Sequence, residues 1–158
     1  MNQIMQPPAA ELSSVEYARQ VVENFKTLYQ TLSKDTVHSG IIEAVYSENI
    51  HFIDSFHEIK GRDAFIRYCE SIYENVKYSR FTFHTEMVNS DQAMLTWTMN
   101  YAHPQLKGGA DIAVQGASHI KIDKGVYFHQ DFVDGGELLY DHIPVLGWVL
   151  KKIKNRMI

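Results

Sequence analysis

One cysteine, Cys69, in 158 residues excludes an internal disulfide framework and leaves no thiolate set for a structural zinc site. No apolar run approaches the ~20 residues that cross a bilayer. The N-terminal stretch MNQIMQPPAAELSS lacks the basic-then-apolar layout of a secretory leader, so a reducing, cytoplasmic setting is the expectation. Positive charge is in deficit as well: a formal net charge of −4 argues against nucleic acid as a main partner. There is no Gly-x-Ser-x-Gly elbow for a nucleophilic serine and no phosphate-binding loop. Eight histidines are present, but no two of them stand at helical i, i+4 spacing with a carboxylate and none stands in a His-x-His arrangement. Neither a metal nor any other cofactor is expected.

What is present is enough apolar residue, 45% of the chain, to bury the core of one domain. Residues 1–12, with Pro7-Pro8, read as an N-terminal arm, and 13–158 as a single domain. Ser13-x-x-Glu16 is a capping box, opening a helix over about 14–32 whose Val15, Ala18, Val21, Val22, Phe25, Leu28, Tyr29 and Leu32 recur at helical spacing. A second, shorter helix fits 37–46, with Ile41, Ile42 and Val45 on its buried side. A strand over about 49–54 precedes Gly61, which opens a third helix over about 62–76 with Phe65, Tyr68, Cys69, Ile72, Tyr73 and Val76 as its stripe. After residue 78 the period changes from 3.6 to 2. Strands fit about 79–89, 92–103, 111–122 and 125–133, and a last helix about 144–156. The order predicts an α+β fold, with a layer of helices covering one face of an antiparallel sheet.

Four stretches carry a resemblance. They are Phe52-Ile-Asp-Ser-Phe-His57 followed by Gly61-Arg-Asp-Ala-Phe65, then Leu95-Thr-Trp-Thr-Met99, then His129-Gln-Asp-Phe-Val-Asp134, and the ending Leu139-Tyr-Asp-His-Ile-Pro-Val-Leu-Gly147. Together, over about residues 15–156, the chain resembles the SnoaL-like family of the nuclear transport factor 2-like superfamily. The resemblance implies a cone: three N-terminal helices packed on a curved antiparallel sheet, a C-terminal helix, and a cavity with an apolar blind end. Proteins of this fold include isomerases, hydratases and cyclases as well as binding modules, so function has to be argued from the site.

Asp54 is the first candidate. A carboxylate in an apolar cavity is costly to ionise, which suits it to removing a proton beside a carbonyl. Asp54 stands where the resemblance places the base of ketosteroid isomerases, although their Glu-Asp-Pro proline is here Ser55. The competing reading is that Asp54 caps a loop by accepting backbone N–H groups. His57 and His51 flank it in sequence. The oxyanion donors of ketosteroid isomerases are missing or displaced: Ser118 falls at the aspartate position, and Tyr29 lies only adjacent to the tyrosine position. Steroid isomerisation is therefore disfavoured.

His129 and Asp131 lie two apart on the last strand and share a face. The resemblance to polyketide cyclases makes Asp131 a second acid–base candidate, with His129 to tune or relay its proton. Periodicity opposes this. Val126, Phe128, Gln130 and Phe132 make the more apolar face, so His129 and Asp131 are expected to point outward or toward a partner subunit. Trp97 and Met99 either fill the core or line the cavity, whereas Tyr101 and His103 are expected near a wetter rim where they meet ligand. Cys69 is a core residue in this reading. Gly116, in mid-strand, marks a bend or a close approach.

Two functions stay open: an isomerase, cyclase or hydratase with Asp54 as base on an apolar carbonyl compound, or a binding module for a hydrophobic small molecule or lipid. The outward face of the sheet carries Thr96, Thr98, Asn100, Ala113, Gln115 and Ala117, neutral at its centre, which suits a sheet-to-sheet homodimer. Residues 151–158 hold four bases and no acid, leaving residues 1–150 at −8 with all 19 acids and 11 of the 15 bases. The C-terminal helix thus either docks on the domain by Leu146, Val149, Leu150, Ile153 and Met157, or serves as a weak anchor on an anionic membrane surface.

Overall fold

The computed structural model describes residues 13–138, 142 and 144–156; the N-terminal arm expected over 1–12 lies outside the described residues. Helix α1 runs Ser14–Thr31, and its capping box is formed as the sequence predicts. The Ser13 N–H donates to Glu16 Oε2 at 2.9 Å and the Glu16 N–H to Ser13 Oγ at 3.3 Å, so two otherwise orphaned donors are satisfied. Ala18, Val21, Val22, Phe25 and Leu28 form its buried stripe.

The helix expected over 37–46 is absent. Residues 34–45 make consecutive turns instead. The Thr36 hydroxyl donates to the Thr31 carbonyl (2.9 Å) and that of Ser39 to the Thr36 carbonyl (2.6 Å), which offers the backbone an alternative to helix. Gly40, at φ +87°, then breaks the run in its middle. The apolar spacing still does its work, since Val37, Ile42 and Val45 are buried in the core. Two of the three expected N-terminal helices therefore form, the other being α2, Arg62–Asn75, entered through Gly61 at φ +91°.

The strands are β1 (Tyr46–Ile53), β2 (Glu58–Lys60), β3 (Tyr78–Val88), β4 (Gln92–Ala102), β5 (Ile112–Asp123) and β6 (Gly125–Val133). They form one six-stranded sheet in the order β2-β1-β6-β5-β4-β3. The sheet is mixed, because β1 pairs with β6 in parallel while every other pair is antiparallel. This corrects the all-antiparallel expectation: β6 returns beside the first strand, and β2, too short to stand out in the sequence, occupies the edge. Helix α1 packs on β3 and β4, and α2 on β1 and β2, so the two helices cover one face.

The expected alternation holds in β4 and β5. Ala93, Leu95, Trp97 and Tyr101 face inward from β4, and Ile112, Val114, Ser118, Ile120 and Ile122 from β5. Gly116 is explained by a close approach: a Cβ there would stand 2.3 Å from the Trp97 ring, which lies across it.

A single helical turn, α3 (Gly135–Leu138), follows β6, and α4 (Pro144–Lys154) comes last. Of the residues expected to dock α4, Leu146, Val149 and Ile153 are exposed, Leu150 is half-buried and Met157 lies outside the described residues; Trp148, on the other side, is exposed as well.

Candidate functional site

The site is built by a single extra residue in β6. Ile122 pairs with Val126 while the preceding Lys121 pairs with Phe128, leaving Tyr127 unpaired as a bulge. From there on the parity of β6 is reversed. Val126 faces inward, and so do His129 and Asp131, opposite Ile120 and Ser118 of β5. The expectation that His129 and Asp131 point outward is therefore wrong, and the bulge is the physical reason. Phe132 faces out in their place and is half exposed.

His129 is completely buried among Phe25, Phe52 and Tyr46. Its Nε2 lies 2.7 Å from Asp131 Oδ1 and its Nδ1 2.8 Å from the Tyr46 hydroxyl, which is itself 2.8 Å from that of Tyr29. A carboxylate only accepts, so Nε2 carries a proton. A neutral ring then takes the Tyr46 O–H on Nδ1, and Tyr46 takes the O–H of Tyr29. From the other side the Ser118 hydroxyl donates to Asp131 Oδ1 at 2.5 Å and accepts the indole N–H of Trp97 at 2.9 Å. Five side chains, two directly and three in series behind them, thus lead to one carboxylate oxygen. Oδ2 of Asp131 receives no donor from the described residues. Burial holds the Tyr29 and Tyr46 hydroxyls well above the ordinary tyrosine range, so both stay neutral donors.

Asp54 is the opposite case. Its Oδ1 accepts the backbone N–H groups of Phe56 (2.8 Å) and His57 (2.7 Å), with His57 Nδ1 at 3.3 Å, and its Oδ2 accepts the Tyr68 hydroxyl in a short hydrogen bond. The loop-capping reading is realised on one oxygen, while the other faces a tyrosine on the cavity wall. Burial, then the bond to Asp54, pushes the Tyr68 hydroxyl far above its usual range.

Both aspartates border a cavity of about 280 Å³ between the sheet and α2, and both also border a cleft outside it of about 490 Å³. They therefore stand at its mouth. The cavity wall is aromatic and aliphatic, including Tyr29, Phe52, Phe65, Phe81, Trp97 and Tyr101, and among the described residues its formally charged side chains are Asp54 and Asp131. Cys69 lies on the wall with its thiol pushed up to about 12 by burial, which makes it an inert apolar surface. Ser79 also lines it; its Oγ is buried and meets no hydrogen-bond partner at bonding distance among the described residues.

Of the residues singled out in the sequence, Asp54, Asp131, Tyr29, Trp97 and Tyr101 line the cavity. His129 and Ser118 lie directly behind Asp131. His57 stays at the rim, half exposed, with its ring against Tyr68. His103 is not brought to the site: β4 ends at Ala102, and the His103 ring accepts the N–H of Gln105 within its own loop. Tyr46 and Tyr68 escaped notice because each sits in an apolar stripe. The signal available was the hydroxyl itself, since a buried tyrosine needs a polar partner. Among the described residues, no group of three or more His, Cys, Asp or Glu side chains converges to hold a metal ion.

A helix-covered curved sheet enclosing a cavity is the nuclear transport factor 2-like architecture, and solved structures share it. A candidate SnoaL-like polyketide cyclase from Jannaschia sp. CCS1 is 14% identical, with 84% of this chain and 96% of that one covered at a TM-score of 0.65. A protein with a ketosteroid isomerase-like fold from Catenulispora acidiphila DSM 44928, in complex with trimethylamine, is 10% identical, with 78% and 92% covered at 0.66. A nuclear transport factor 2-like protein of unknown function from Exiguobacterium sp. 255-15 is 12% identical, with 73% and 98% covered at 0.60. At such identities these likenesses show the fold. The family is shown by sequence: residues 18–129 match the SnoaL-like domain model, and the chain belongs to that family. No curated protein matches it.

Proposed function

We propose that this protein is a small acid–base enzyme that isomerises, cyclises or hydrates a compact, largely apolar carbonyl compound, with Asp131 as the proton acceptor. One observation carries the reading. Asp131 has one oxygen held by Ser118 and His129 and the other with no donor among the described residues, at the mouth of a largely apolar cavity. Asp54, the leading base in the sequence, accepts donors on both oxygens and is the poorer acceptor. It suits a role as the fixed negative partner of Tyr68.

In this reading Asp131 Oδ2 removes a proton from the carbon beside the carbonyl, and the electron pair moves onto the carbonyl oxygen. That oxygen needs a donor, and Ser79 offers a hydroxyl on the same wall, near that of Tyr73. The proton returns from Asp131 to a different carbon or to the oxygen. His129 keeps the carboxylate oriented, and Tyr46 fixes which imidazole nitrogen faces it.

A benzisoxazole tests the base without knowledge of the natural substrate, since removal of its ring proton opens it to a coloured cyanophenolate. The protein should accelerate the opening, and Asp131→Asn should lower the rate by about 10²–10⁴-fold, the ordinary contribution of a positioned base. No acceleration over free acetate, or an Asp131→Asn variant as fast as the parent, would contradict the proposal.

The alternative, a binding module without chemistry, is favoured by the absence of a tyrosine–aspartate oxyanion pair and would use the same cavity. Either form is proposed as a homodimer through the outward sheet face. Support comes from the neutral, exposed Ala113, Gln115 and Thr96 beside half-exposed Phe132.

A further inference from the structure

Helix α4 combines three features that do not belong together on a solvated helix. Large apolar side chains stand exposed on it: Leu146 is 38% exposed, Trp148 63%, Val149 38% and Ile153 50%. Bases follow them closely, with Lys151, Lys152 and Lys154 in its last turn and Arg156 just beyond, and no acid occurs anywhere in 142–158. Among the described residues no strand or other helix makes an extensive contact with it, and Gly147 is its one buried residue while Leu150 is half-buried. An exposed apolar cluster rimmed by charge of one sign calls for a partner that is apolar inside and anionic outside.

The distribution of the apolar residues says which partner. At 100° per residue, Leu146, Val149 and Ile153 fall on one side, whereas Trp148 lies nearly opposite Leu146. A groove on a protein covers one stripe of a helix. It would leave Trp148 in water, whereas a lipid headgroup–acyl boundary surrounds the helix and covers both sides. Tryptophan is the residue most at home at that boundary, and the Lys152 ammonium lies 5.0 Å over the Trp148 ring, its charge beside the indole. The charge layout gives an orientation as well. With residues 1–150 at −8 and the four bases gathered at the end, an anionic surface attracts the α4 end and repels the rest.

We propose that α4 is a reversible membrane-surface anchor that binds anionic lipid through Trp148, its exposed aliphatic residues and the Lys151–Arg156 bases. The anchor stands on α4 alone, whether or not the cavity performs chemistry. Its consequence for the cavity is positional. Leu138, on the cavity wall, precedes α4 by six residues and is tied to β4 by the Tyr101 hydroxyl, so a surface-bound α4 brings the cavity close to lipid-soluble compounds.

The full-length protein, sedimented with phosphatidylcholine vesicles containing or lacking phosphatidylserine, tests this. Pelleting should be several-fold greater with phosphatidylserine, should disappear at high salt, and should quench Trp148 emission when the lipid tails are brominated near the headgroup. Lys151→Glu with Lys152→Glu should abolish it, as should Trp148→Ser, with circular dichroism and thermal melting unchanged because α4 is peripheral to the core. Equal pelleting with and without phosphatidylserine, or pelleting unaffected by these variants, overturns the anchor. So does a protein that ignores vesicles but forms a larger species by light scattering that the same variants dissolve, since a second copy would then cover α4. Benzisoxazole opening retained in the charge-reversal variant would separate failure of the anchor from failure of the enzyme reading.

Discussion

Asp54 and Asp131 stand at the same cavity mouth, yet the fold treats them differently. Asp54 follows the last residue of β1 and holds its own loop together: two backbone N–H groups, a histidine and a tyrosine hydroxyl all donate to it. Among the described residues Asp131 is held on one oxygen, by buried Ser118 of β5, itself bonded to Trp97, and by buried His129 of β6, bonded through Tyr46 to Tyr29. A carboxylate whose acceptor sites are filled by the backbone is a structural element. One that is oriented from behind and left open in front is equipped to take a proton. The contrast teaches that the number of donors already engaged, more than residue type or burial, separates the two roles.

The sharpest way to break this comparison is to measure stability and reactivity on the same pair of variants. Asp54→Ala should lose about 2–3 kcal/mol of stability, because several donors lose a charged acceptor at once. Its melting temperature should fall by roughly 5–10 °C. Asp131→Asn keeps an acceptor for Ser118 and His129 and should melt within a few degrees of the parent while losing its activity on the benzisoxazole. A smaller effect should divide Tyr46 from Tyr29. Tyr46→Phe leaves His129 Nδ1 and the Tyr29 hydroxyl both unpaired in the core and should cost about 1–3 kcal/mol. It should also release the imidazole tautomer, visible in the ¹⁵N spectrum of His129. Tyr29→Phe removes only the last link and should leave that spectrum unchanged.

The smallest effect is one of pH. Burial raises Tyr29 and Tyr46 well above the ordinary value of 10.0. Above pH 10 the unfolded chain releases protons that the folded chain keeps, so their contribution to stability is fully present below pH 10 and declines above it. Tyrosinate absorbance from these two should appear only together with loss of circular dichroism. Early titration of either would show that the relay is open to water.

Much of this was legible in the sequence, and the exceptions have definite physical causes. The capping box at Ser13 and Glu16 and the alternation in β4 and β5 follow from local rules that tertiary context did not override. Asp54 was visible because the Phe52–His57 stretch carries the family resemblance, and of its two readings the loop cap is formed, on Oδ1. The inward placement of Asp131 was obscured by the bulge at Tyr127. One extra residue inverts every later side chain of β6, and nothing in a period-2 pattern announces it. The turns over 34–45 keep helical apolar spacing without helical backbone, because Gly40 and the Ser and Thr hydroxyls redirect the chain. His103 falls one residue beyond the end of β4, and that places it in a loop.

Binding of 2-naphthol against its methyl ether, read by fluorescence or calorimetry, tests most directly whether the open oxygen of Asp131 meets the ligand. The two probes have similar apolar bodies and differ in one donor. The wild-type protein should prefer the naphthol by at least about tenfold, as one hydrogen bond to a charged acceptor implies. That preference should vanish in Asp131→Asn and persist in Asp54→Asn. If it persists in Asp131→Asn and vanishes in Asp54→Asn, the two aspartates have been assigned the wrong way round.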